Sequence, residues 1–314
     1  MAKVLTIAEP NPKQKLFLEA KHKYVGFGGA RGGGKSWSVR TKAKLLALHY
    51  PGIRVLIVRR TYPELMKNHI RWLRVQLLGI AKYNDKDKVM NFGNTSTISF
   101  MYCARDQDLD HLQGDEYDVI FLDEATQLSE WQIKSIVVCM RAPNNLPKRC
   151  YFTMNPGGKG HAYIKRLFID RKFEEGEDPE EYTFIQSLVT DNTALMKMQP
   201  DYVKQLDALP EKLKAGWRYG DWEIYDGQFF EDFINRTTPV GEGEDRVDDP
   251  HKERRWTNVI DPFEIPKEWP IYRSFDFGYS KPFSCGWWTV DYDGRMYRIL
   301  DMYGCTKDPN TGVK

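Results

Sequence analysis

Short apolar runs alternate with helical stretches through the first half of the chain. YVGFGG (24–29), RVLIVRR (54–60), TSTISFMY (95–102), DVIFLDEA (118–125) and RCYFTMNP (149–156) predict strands. Each is rich in Val, Ile, Phe, Tyr or Thr and is bounded by Gly, Pro or Asn. SWSVRTKAKLLALHY (36–50) predicts a helix that stops before Pro51-Gly52. Strands alternating with helices imply an α/β fold with a mostly parallel sheet.

After about residue 165 the pattern changes. YTFIQSLVT (182–190) is one more candidate strand, behind the acidic loop EEGEDPEE (174–181). DYVKQLDALPEKLKAGWRYG (201–220) is helical on either side of Pro210, with Val203, Leu206, Leu209, Leu213 and Trp217 at roughly helical spacing. Polar, acidic, proline-bearing sequence over 236–270 reads as a linker. YRSFDFGYS (272–280), SCGWWTVDYDG (284–294) and RMYRILDMYG (295–304) predict three antiparallel strands, with Asp293-Gly294 as a hairpin turn. The domain division expected is 1–165 for an α/β core, 166–228 for a small helical lid, 229–270 for a linker, and 271–314 for the start of a second domain that ends early.

Composition changes this picture little. The 314 residues, 41% hydrophobic and 29% charged, can bury a core, which excludes disorder along the whole length. No apolar run is long enough to span a bilayer, and the N-terminal MAKVLTIAEPNPKQK has no apolar signal region. The five cysteines form no CxxC pair, which favours reduced thiols over a disulfide frame or a zinc site. Charge is more telling. The net value of +2 divides into +12 over residues 1–72 and −10 over the rest. A basic N-terminal third suggests contact with phosphates, or simply an unevenly charged surface.

Gly29-Ala30-Arg31-Gly32-Gly33-Gly34-Lys35-Ser36 fits G-x-x-x-x-G-K-[ST] after a predicted strand and before a predicted helix, the context a phosphate loop requires. Glycines let backbone N–H groups turn toward phosphates, and the helix N-terminus adds partial positive charge. Lys35 is expected to reach the β- and γ-phosphates of ATP, and Ser36 to ligate Mg²⁺. Val119-Ile120-Phe121-Leu122-Asp123-Glu124 is an apolar strand with two carboxylates at its C-terminal end, the edge where open α/β sheets bind ligands. Asp123 is expected to hold Mg²⁺, directly or through water, and Glu124 to act as general base on the attacking water. Asn155 in TMNP either senses the γ-phosphate or starts an Asn-Pro turn.

In order and spacing these motifs resemble the large terminase subunit of tailed bacteriophages, the motor that packages DNA, and the resemblance covers nearly the whole chain. It implies a P-loop, RecA-like (ASCE-type) ATPase followed by the truncated start of an RNase H-like nuclease domain. Asn11-Pro12-Lys13-Gln14 resembles the family's adenine-reading segment, which would put Gln14 on the base. Arg31 would help stabilise charge on the γ-phosphate. Thr153 and Asn155 would couple hydrolysis to movement. DNTALMKMQPDYVKQLDALP and WRYGDWEIYDGQFF resemble the lid and domain junction. Asp276 in SFDFG stands where the family's first nuclease metal ligand would be, but the later carboxylates are missing, so nuclease activity is expected to be lost or incomplete; Asp291, Asp293 and Asp301 read as turn or solvated carboxylates. Where many terminases carry a trans-acting arginine, this chain has Gln113 before Gly114, leaving Arg105, Arg141 and Arg149 as candidates. The implied partners are double-stranded DNA gripped through its phosphates, with Arg59, Arg60 and Lys67 as candidate contacts, then a portal protein and the small terminase subunit. The implied assembly is a homo-oligomeric ring on the procapsid, or a monomer when alone, in the host cytoplasm and docked only transiently. Two other functions fit the phosphate loop: a RecA-like helicase or recombinase, and a nucleotide-dependent assembly module with negligible hydrolysis.

Overall fold

The computed structural model describes residues 7–112, 114–223, 263–276 and 283–304. The chain divides into two compact units, residues 1–228 and 229–314.

The first unit is built on an eight-stranded sheet. In chain order its strands are β1 (Tyr24–Gly29), β2 (Arg54–Arg59), β3 (Ala81–Asn84), β4 (Val89–Phe92), β5 (Thr97–Tyr102), β6 (Val119–Leu122), β7 (Arg149–Met154) and β8 (Tyr182–Ser187). They lie in the order β3-β4-β5-β2-β6-β7-β1-β8. From β5 to β8 every neighbouring pair is parallel, whereas β3, β4 and β5 pair antiparallel at one edge. Parallel strands covered on both faces read as unbroken apolar runs, and all four residues of β6 are buried. Val55, Ile57, Val119, Phe121 and Tyr151 face one core with Phe17, Val39 and Ala43. Leu56, Val58, Ile120, Leu122, Phe152 and Met154 face the other, with Ile164, Phe168 and Trp222.

β8 lies in the stretch expected to form the lid, yet it pairs with β1 from Tyr24↔Tyr182 to Gly29↔Ser187. The sheet therefore runs past the expected boundary at 165. Three short helices follow it: Thr193–Met198, Tyr202–Asp207 and Glu211–Tyr219.

Two helices bear on the site. α1 (Pro12–Glu19) opens with a capping box, in which Asn11 and Gln14 each accept a bond from the other's backbone N–H, at 2.8 and 2.9 Å. α2 (Lys35–His49) follows the glycine-rich loop and is buried nearly all round, with Lys35 and three further cations included. Lys44 Nζ donates to Gln76 Oε1 at 2.7 Å, Lys42 to the Leu18 carbonyl and Arg40 to the Asn68 carbonyl. Burial pulls the pKa of Lys42 and of Lys44 down to about 8 and that of Arg40 to about 10. Three of the fifteen Lys and Arg of residues 1–72 are thus held inside the fold, away from any phosphate-facing surface.

The second unit carries a three-stranded antiparallel sheet, β9 (Ile271–Asp276), β10 (Phe283–Val290) and β11 (Met296–Gly304), in the order β11-β10-β9. Asp291 holds the β10–β11 turn: its carboxylate accepts from the Asp293 and Arg295 N–H groups at 2.9 and 2.8 Å and from the Tyr297 hydroxyl at 2.9 Å. Most of the expected linker, residues 229–262, lies outside the described residues.

Candidate functional site

The site forms at the C-terminal edge of the parallel strands, where the loop after β1 turns into α2. Two glycines there have no substitute. Gly28 sits at φ +147°, and a Cβ would come within 2.0 Å of the Met154 carbonyl oxygen of the neighbouring strand. Gly34 precedes α2 in the left-handed region at φ +80°. No side chain caps α2 at this end, so its first amides are open to an anion. The loop lines a cleft of about 530 Å³ together with Arg59, Glu64, Glu124, Gln127 and Asn155.

One hydrogen-bonded chain joins the loop to the two carboxylates. Lys35 Nζ donates to the Ala30 carbonyl and to Asn155 Oδ1, both at 2.7 Å. Asn155 Nδ2 donates to Glu124 Oε2 at 3.0 Å. Thr153 Oγ1 accepts from the Glu124 N–H at 2.9 Å and donates to Asp123 Oδ1 at 2.6 Å. Thr126 closes the far side by donating to the Asn155 carbonyl at 2.8 Å. Burial lowers the Lys35 pKa, while Glu124 and Asp123 work against that shift. Glu124 has φ +56°, a costly conformation for a residue with a side chain, at the strand end where its carboxylate meets Asn155.

Asp123 is 1% exposed. Burial alone would raise its pKa, but His69, Arg59 and Thr153 outweigh burial and hold the carboxyl well below the usual carboxylate range. His69 Nε2 donates to Asp123 Oδ2 at 2.8 Å, and Arg59 Nε lies 3.3 Å from the same oxygen. Nothing in the sequence pattern marks His69: it is a lone histidine on a π-helical turn, Met66–Ile70, and only folding brings it to Asp123.

The lid helices reach the loop from the other side. Asn192 donates to the Gly32 carbonyl at 2.6 Å while capping its own helix through the Leu195 N–H at 3.2 Å. The Arg31 N–H donates to the Trp217 carbonyl at 2.9 Å, and its guanidinium stacks 3.1 Å from the centroid of the Trp217 ring. Arg31 thus lines the cleft but rests on the lid.

Not every expected residue reaches the cleft. Gln14 is held in the capping box, its Nε2 donating to the Gly34 carbonyl at 3.4 Å; it touches the loop from behind. Arg59, expected on DNA, is 7% exposed and pairs with Asp123, because the strand it ends runs into the site; Arg60 and Lys67 are exposed. Of the arginines considered for trans action, Arg105 is exposed beyond the C-terminal end of β5, on the cleft's edge of the sheet. Arg149 starts β7, and Arg141 follows Cys139, whose carbonyl bonds Tyr117 just before β6, so both belong to the opposite edge. Gln113 lies outside the described residues. Asp276 ends β9 opposite Ser284. Among the described residues, no group of three or more His, Cys, Asp or Glu side chains is placed to hold a metal ion.

A family model for the phage terminase large subunit matches residues 21–222, well over half of the chain. The chain belongs to that family. This terminase subunit is therefore an ATPase of viral DNA packaging, and its first unit has the RecA-like fold. Among solved structures it is similar to the large terminase of a thermophilic bacteriophage in complex with ADP, at 16% identity and a TM-score of 0.57 over 94% of this chain and 68% of that one. The same terminase in complex with ATP-γ-S gives 15% identity and 0.55 over the same shares. The ATPase domain of the Thermus phage P74-26 large terminase gives 14% and 0.50 over 68% of this chain and 94% of that one. No curated protein matches the terminase subunit.

Proposed function

We propose that the first unit binds ATP with Mg²⁺ in the cleft behind the glycine-rich loop and hydrolyses it to move double-stranded DNA toward a procapsid. The observation that carries this reading is the hydrogen-bonded chain Lys35–Asn155–Glu124–Thr153–Asp123, which ties the phosphate loop to a paired carboxylate end. That relatives of the same fold were solved with ADP and ATP-γ-S supports a nucleotide as the ligand.

The loop amides and the N-terminus of α2 cradle the phosphates, and Lys35 neutralises their outer charge. The donors suit Mg²⁺: the Ser36 hydroxyl lines the cleft, and Asp123 is held ionised behind it, both hard oxygen ligands. When bound, Mg²⁺ offsets charge on the phosphate oxygens. Glu124 takes the proton of the attacking water once Asn155 releases its carboxylate. Thr153 in β7 and Asn155 just beyond its end transmit that switch to the sheet. Arg31 leaves Trp217 to meet the γ-phosphate, and its departure frees the lid. Gln14 would have to leave its capping box to read adenine.

Arg105 is the arginine best placed to act on a neighbouring subunit of a ring. Arg60 and Lys67 remain as sequence-independent contacts to DNA phosphates. A portal protein, the small terminase subunit and the host cytoplasm belong to the same reading. Among the described residues, no helix is long and apolar enough to cross a membrane.

Steady-state ATP hydrolysis with and without linear duplex DNA tests it. Mg²⁺-dependent turnover should fall at least about a hundredfold in both Lys35→Ala and Glu124→Gln, with duplex DNA stimulating the wild type. Turnover surviving in both variants would overturn the reading.

A further inference from the structure

Arg59 is the last residue of β2, and its side chain lines the cleft with Lys35, Ser36 and Glu124. Two of its guanidinium nitrogens, Nε and Nη1, are buried without a hydrogen-bond acceptor. Asp123 supplies charge but not that acceptor. Its Oδ2 takes the His69 bond at 2.8 Å and its Oδ1 the Thr153 bond at 2.6 Å, while Arg59 Nε lies 3.3 Å from Oδ2 as an ion pair without bonding geometry. A buried guanidinium N–H left unpaired is costly and uncommon, so such a group points to a partner.

The surroundings specify that partner. Of the cleft's other walls, the open amides of the loop, Lys35 and Arg31 suit an anion, and the carboxylates of Glu64 and Glu124 line it beside them. The guanidinium fork matches phosphate oxygens better than any other acceptor. In the strand order β2-β6-β7-β1, Arg59 approaches from beyond Asp123 and Glu124, on the side away from the glycine-rich loop. The loop amides grip the inner phosphates, so a group on the far side meets the outermost one. Resting on the ATP reading above, we infer that Arg59 is a cis ligand of the nucleotide's terminal phosphate, held at rest by Asp123 and exchanging that carboxylate for the γ-phosphate on binding. This exchange also leaves Asp123 free of its cationic neighbour.

The test is nucleotide affinity of the full chain, read with fluorescent ATP and ADP analogues in EDTA, so that no metal contributes. Arg59→Gln should weaken ATP binding about tenfold, as expected for one lost charge-assisted contact, and ADP binding less than about threefold. Equal losses for both nucleotides, or no loss, would show that Arg59 only balances Asp123 and would overturn the inference. Removing one member of a buried pair can unfold a protein. If Arg59→Gln loses its cooperative melting transition, the comparison is Arg59→Gln/Asp123→Asn against Asp123→Asn, where the same selective loss of ATP is expected and an unchanged ATP-to-ADP ratio refutes it. If the wild type binds neither nucleotide in EDTA or with Mg²⁺ restored, the ATP reading and this inference fall together. If the wild type binds both and the variant keeps its ratio, the inference alone fails.

Discussion

Thr153 makes two hydrogen bonds with one hydroxyl, donating to Asp123 and accepting from the Glu124 amide. It is fully buried, so neither lost partner would find water. Thr153→Val keeps the shape and deletes both bonds. Its loss should cost about 2 kcal/mol of stability, the scale for a buried polar group left unpaired beside a charge. Turnover should fall about tenfold or more, because the two carboxylates lose their common tether. Urea denaturation and steady-state kinetics on the same preparation measure both. A variant with wild-type turnover would show that the tether has no part in catalysis.

The buried cations of α2 make a prediction at the scale of the element. In the folded chain Lys44 titrates at about 8, against an ordinary value of 10.5, because burial disfavours its charge. Between those values the unfolded chain binds more protons than the folded one, so this lysine makes stability rise with pH across that window. Lys44→Met should therefore gain most over the wild type near pH 7, and the gap should narrow as pH rises from about 8 toward 10.5. Melting temperatures of the two proteins across that range measure it; parallel profiles would contradict the burial.

The same scale shows what the sequence could tell. β1, β2, β6, β7 and α2 were legible because parallel strands buried on both faces spell continuous apolar runs, and a glycine-rich loop marks where strand turns to helix. β3 and β4 were not, because AKYN and VMNF are short, mixed edge segments whose partner is known only after folding. The helical stretch from Tyr62 to Gln76 was missed for a different reason: a π turn interrupts it and shifts its side-chain period. His69 and Arg59 join the site from that side of the sheet, so the loop, the acids, Thr153 and Asn155 were visible in the sequence, while His69, and Arg59 as a partner of Asp123, were not.

For the whole molecule, the proposed ring raises the question of which arginine would serve a neighbour. Arg105 lies at the cleft's edge of the sheet and Arg149 at the opposite edge. At protein concentrations that favour assembly, Arg105→Ala should lower DNA-stimulated turnover by about a hundredfold, since a trans arginine contributes roughly 10³ or more in related sites. Arg149→Ala should stay within about threefold of wild type. Mixing Arg105→Ala with Glu124→Gln, which keeps its own Arg105, should restore part of the activity. Failure of the mixture to exceed either variant alone would remove Arg105 from that role.

Asn155 has a single amide and gives it to two opposite charges, its oxygen to Lys35 and its nitrogen to Glu124. An amide plane is rigid, so the two bonds are not independent. A phosphate that draws the Lys35 ammonium away leaves the oxygen without its donor, and the plane turns to find another. That rotation carries the nitrogen off Glu124. In the hydrolysis proposed above, the amide is a one-bit safety interlock: the base is cocked only when fuel is in the chamber, and an idle subunit does not fire.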